Sequence, residues 1–135
     1  MTYIGWLTLA LLATAAEPPH EEVVVVVHES NPQASISVRT IRRMVLGQTT
    51  AWSSLVPVTV VMRPLSSHPA TAVLEDLLRL SVDAYARRRE GPVVSTAQRA
   101  DDVVRRVSEE PGAIGFVLSS EIGRLPPGVK ALRVA

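Results

Sequence analysis

The chain contains no cysteine. A disulfide, a thiol nucleophile and a thiolate metal site are therefore all excluded. Aromatic side chains are scarce, with one Phe, two Trp and two Tyr among 135 residues. Too few flat rings are present for a platform that stacks unpaired bases. Neither sign of charge dominates, because 14 basic residues face 13 acidic ones for a net charge of +1. No broad field is available to gather nucleic acid or an anionic membrane, so a nucleic-acid partner is not expected. The basic clusters Arg87-Arg88-Arg89 and Arg105-Arg106 lie near acids and read as solvated helix faces.

Long apolar runs are also missing. The most apolar stretch, residues 4–16, is shorter than the roughly 20 residues that span a bilayer. It ends in Ala13-Thr14-Ala15-Ala16, small residues that suit signal peptidase, although no Lys or Arg precedes it. A signal peptide over 1–16, cleaved after Ala15 or Ala16, is the expectation; an uncleaved tether and a buried N-terminal helix are the alternatives. Residues 17–22 form a polar leader, and 23–135 is one domain, expected to be periplasmic or secreted with no stable membrane span after cleavage.

What the rest contains is valine, leucine, isoleucine and alanine in short periodic segments. Residues 22–28 hold five consecutive valines. β-Branching favours extended backbone, and the lack of alternation suits a strand covered on both faces. Ser37 is placed to cap a helix, with Ile36 and Ile41 as its hydrophobic staple and Gly47 as its stop. Residues 48–55 read as irregular, with Trp52 a local packing anchor. A strand over 56–62 runs into a helix over 69–80, with Ser67 or His68 as N-cap and Pro69 in the first turn. Ser81 caps a third helix, and Gly91-Pro92 is a break. Val93-Val94 is a short strand or an extended link, and Ser95 with Gln98 has capping-box spacing before a fourth helix. Residues 113–118 and 129–134 are the last strands, separated by a turn or short helical piece over 119–128. Gly115 marks a close packing approach. Strands separated by helices define the fold class: α/β, a three-layer sandwich with a mostly parallel or mixed central sheet flanked by helices.

The chemistry concentrates in the strand-to-helix passage of residues 63–71. Arg63 offers two parallel hydrogen bonds and a charge. Ser66, Ser67 and Thr71 stand at a helix start, where N–H groups lack intrahelical acceptors and favour an oxyanion. A plain helix cap with a solvent-facing arginine is the alternative. His20, His28 and His68 have no zinc spacing, and His68 beside Ser67 lacks an orienting acid. Glu75-Asp76 and Asp101-Asp102 diverge on their helices and are expected to be solvated. No catalytic residue, metal or cofactor is expected, so the chain is not expected to be an enzyme.

The order of segments resembles the phosphate-binding branch of the periplasmic substrate-binding proteins of ABC transporters. Asn31-Pro32, Ile36-Ser37-Val38, Val45-Leu46-Gly47, Thr50-Ala51-Trp52, residues 58–63 with Ser66-Ser67, and Glu110-Pro111-Gly112-Ala113-Ile114-Gly115-Phe116-Val117 carry the resemblance. It implies one lobe of a periplasmic binding protein, with Arg63, Ser66 and Ser67 placed against phosphate. Ser-His-Pro stands where the family has a glycine-bearing turn, which narrows the cradle. No segment matches the early phosphate-binding loop of the other lobe. The implied partner is inorganic phosphate or another small oxyanion, with a homodimer or an envelope protein supplying a second wall. The competing function is a non-catalytic interaction module of the cell envelope that keeps the fold without the pocket.

Overall fold

The computed structural model describes residues 22–90 and 95–135. The expected signal peptide over 1–16, most of the expected leader over 17–22, and the expected break and link at Gly91-Pro92-Val93-Val94 lie outside the described residues. The elements are β1 (Val23–His28), β2 (Ser35–Ile36), α1 (Val38–Val45), β3 (Thr59–Met62), α2 (His68–Thr71, continued by a π-helical stretch Ala72–Leu77), α3 (Val82–Arg88), β4 (Ser95–Thr96), α4 (Ala100–Glu109), β5 (Ala113–Leu118) and β6 (Val129–Val134). They build one six-stranded sheet in the order β2-β6-β1-β5-β3-β4. β1 runs antiparallel to both its neighbours, and the other pairings are parallel.

The valine run is explained by its place in the sheet. Val25, Val26 and Val27 are fully buried, but on opposite faces. Val25 and Val27 pack with Ile114, Phe116, Leu132 and the apolar residues of α1, α2 and α3. Val26 packs with Val61, Val117 and α4 residues Val103, Val104 and Val107. A strand covered on both faces has no solvent side to alternate toward. Gly115 lets α4 approach the sheet closely: a Cβ there would stand 2.5 Å from Val103 Cγ1 and 3.1 Å from Val107 Cγ2.

Local capping chemistry sets the helix ends. Ser37 Oγ accepts from Thr40 N at 3.1 Å, and Ile36 and Ile41 meet in one buried cluster. Gly47 takes φ of +80°. Its N–H reaches Met44 O at 3.1 Å and Gln48 N reaches Arg43 O at 2.8 Å. These two bonds satisfy the last carbonyls of α1 in the Schellman pattern. Ser67 and Ser81 cap α2 and α3 through Ala70 N and Ala84 N.

Three expectations are corrected. The strand over 56–62 begins only at Thr59, because Pro57 belongs to a bridge with Ala51. The 69–80 helix turns π-helical and stops at Leu77, with Arg79 at φ of +54°. The capping box of Ser95 and Gln98 is not formed, since α4 starts at Ala100 after Arg99 with no side-chain cap. Ser95 and Thr96 instead pair with Val61 and Met62. A ladder to a distant strand has claimed backbone that local spacing assigned to a cap.

Candidate functional site

Parallel pairing carries the carboxyl ends of β3, β4 and β5 to the same edge of the sheet. Arg63 follows β3, residues 97–99 lead from β4 into α4, and a 3₁₀ turn (Ser119–Glu121) follows β5. Open α/β sheets hold their ligands outside such strand ends. Arg63, Gln98, Arg99, Ala100, Asp101 and Glu121 line a hollow there.

Arg63 is one of two buried polar residues among those described, at 5% exposure. Its Nη1 donates to Glu121 Oε1 at 2.7 Å and its Nη2 to Glu121 Oε2 at 2.8 Å. Nη2 also points to Gln98 O at 3.4 Å. Nε is buried without a hydrogen-bond partner among the described residues. The carboxylate accepts a third bond, from Leu118 N to Oε1 at 2.9 Å. The carboxylate therefore sits in a fork of guanidinium and backbone donors, the geometry that an external oxyanion would use.

The hydrogen bonds from Arg63 hold the Glu121 carboxyl below its ordinary value of 4.5. The Leu118 amide and the charges of Arg63 and His68 add to this, while burial opposes it. A lowered pKa in the folded state means that the pair stabilises fully above the unfolded value. That contribution is lost as pH falls through the folded value. The urea midpoint is expected to drop on acidification below pH 4.5, and Glu121→Gln to flatten that part of the profile. An unchanged acid slope in the variant would exclude Glu121 as its source.

The other expected site residues are placed differently. Ser67 Oγ donates to Pro64 O at 2.5 Å and accepts from Ala70 N at 3.3 Å. Thr71 Oγ1 donates to Ser67 O at 3.3 Å. Ser66 is exposed. Pro69 contributes no N–H to the first turn of α2, and the Ser67 hydroxyl takes that of Ala70. The passage thus brings Arg63, Ser66, Ser67 and Thr71 onto one strand–turn–helix unit, with Ser67 and Thr71 turned to local backbone. Glu121 was not among the expected site residues. Its signal was position: it comes three residues after β5, whose parallel pairing with β3 puts both strand tips on one edge. On α4, Arg105 reaches Asp102 at 3.2 Å on an exposed surface. Arg106 instead reaches Ser95 Oγ at 2.6 Å.

The architecture is an α/β domain, a mixed six-stranded sheet flanked by helices, with a buried arginine at the carboxyl edge of its parallel strands. The chain belongs to the PBP superfamily, whose domain profile matches residues 20–130. No curated protein sequence matches it significantly. Solved structures share the fold at low identity. An ABC-type phosphate transport receptor from Vibrio cholerae is 20% identical, with a TM-score of 0.69 over 84% of this chain and 46% of the receptor. PstS from Borrelia burgdorferi is 15% identical, with a TM-score of 0.69 over 84% of this chain and 47% of its own. A phosphate-binding protein from Stenotrophomonas maltophilia is 17% identical, with a TM-score of 0.60 over 84% of this chain and 39% of its own. The chain thus spans less than half the length of each. Among the described residues no helix is long and apolar enough to cross a membrane.

Proposed function

We propose that this domain is a non-catalytic, extracytoplasmic solute-binding module that engages phosphate or a related small oxyanion at the carboxyl edge of its sheet. Arg63 is the principal cation, Ser66 supplies an exposed hydroxyl, and Ser67 and Thr71 shape the start of α2 beside it. The observation that carries this reading is the buried Arg63 fork, which already grips a two-oxygen anion at 2.7 and 2.8 Å. Kinship with the PBP superfamily and the fold shared with phosphate-binding proteins support it. The extracytoplasmic location rests on the signal-like residues 1–16. A partner surface over this edge, from a homodimer or an envelope protein, would exclude water and raise affinity.

Isothermal titration with inorganic phosphate tests the reading. Saturable binding that weakens as salt rises is expected. Arg63→Lys keeps the charge but loses the planar fork. It is expected to weaken binding at least about tenfold, the worth of one charge-assisted hydrogen bond. No saturable heat at millimolar phosphate from either folded wild type or folded Glu121→Gln would remove the receptor reading. The non-catalytic interaction module would then be the function left standing.

A further inference from the structure

The two members of the Arg63–Glu121 pair are unequally fixed. The Arg63 side chain is 6% exposed, that of Glu121 23%. The cation is buried, while the anion is partly exposed. Glu121 is also the last residue of a three-residue 3₁₀ turn. Two positions further on, Gly123 has, among the described residues beyond its two chain neighbours, nothing within 4 Å of where a Cβ would lie. The Glu121 side chain is held by Arg63 and by the Leu118 amide. Releasing it breaks these hydrogen bonds. The carboxylate and an incoming oxyanion would use the same Arg63 donors.

Resting on the oxyanion reading above, we propose that Glu121 is an internal ligand of the Arg63 corner, a tethered carboxylate that occupies the site and that an incoming oxyanion must displace. A tethered group competes at an effective concentration on the order of millimolar or above. The apparent affinity of a free anion falls in proportion to the fraction of molecules whose corner is open. Glu121 therefore sets the threshold of the site. Anions that offer the fork no more than a carboxylate does, such as formate or acetate, do not enter at millimolar levels. A phosphate, with more charge and more acceptor oxygens, is the class of ligand able to compete.

The experiment compares wild type, Glu121→Ala and Glu121→Gln, titrated with inorganic phosphate by calorimetry and melted with and without formate. Glu121→Ala is expected to bind phosphate at least tenfold more tightly than wild type. Millimolar formate is expected to raise the melting temperature of Glu121→Ala and leave that of wild type unchanged. Glu121→Gln keeps a neutral hydrogen-bonding partner for Arg63. It is expected to gain affinity in the same direction, and it stands in if the alanine variant does not fold. Equal phosphate affinity in wild type and the variants overturns the internal-ligand proposal and leaves the receptor reading intact. Binding by none of the folded proteins overturns both.

Discussion

Trp52→Ala is expected to lower the stability of the domain by about 3–5 kcal/mol, the range for truncating a large buried aromatic. Trp52 is 5% exposed and packs in the larger of the two core clusters. Its indole Nε1 donates to Gly112 O at 2.9 Å. The same residue closes a tight turn, with Trp52 N bonded to Val56 O at 2.9 Å and Leu55 N bonded to Trp52 O at 2.8 Å. One side chain thus ties the 51–57 turn to the start of β5. Gly112 has no room for a Cβ beside the Pro57 carbonyl, so the two segments lie in direct contact. Truncation leaves a cavity and removes one of two donors to the Gly112 carbonyl, the other being Thr59 N at 3.0 Å. Trp52→Phe fills most of the space and loses chiefly the hydrogen bond, so about 1–2 kcal/mol is expected. Urea unfolding measures both. A loss below about 1 kcal/mol for the alanine variant would mean that the turn is not anchored through the indole.

The second large effect is expected at the site. Arg63→Ala leaves Glu121 without its main partner, and removing one member of a buried ion pair costs about 3–5 kcal/mol. Glu121 retains 23% exposure, which lets water compensate in part and puts the expected loss near the lower end. Replacing both members with methionine removes the orphaned charge together with its partner. Most of the loss is expected to be recovered, because apolar residues of similar size need no pairing. The double-mutant cycle isolates the coupling between the two positions. Additive losses would show that the 2.7 and 2.8 Å bonds contribute nothing of their own to stability. This measurement stands apart from the phosphate titrations, since the pair can stabilise the fold whether or not the corner accepts a ligand.

Much of the fold was legible because its determinants act over a few residues. Ser37, Ser67 and Ser81 accept from amides three positions on, and Gly47 takes the positive φ that ends α1. The strand Ala113–Leu118 and the valine strand Val23–His28 stand where the unbroken apolar runs place them. The site was half legible. Arg63 could be singled out as a cation at a strand tip before a helix. Its partner could not, because 58 positions separate the two. The failed capping box at Ser95 and Gln98 has the same cause: the edge of β3, more than thirty positions upstream, took the backbone of Ser95 and Thr96.

By itself the sequence determined which segments are helix and which are strand, which of their faces are apolar, and that an arginine stands at a strand tip in a chain with no thiol and no metal-site spacing. Those properties follow from capping, β-branching and periodicity, whose range is a turn or a pleat. Only the tertiary structure decided that β1 opposes its neighbours, that Gly115 lies under α4, and that Arg63 is already held by Glu121. Such choices depend on which strand tips the sheet brings side by side, and hydrogen bonding between distant segments leaves no local period to read.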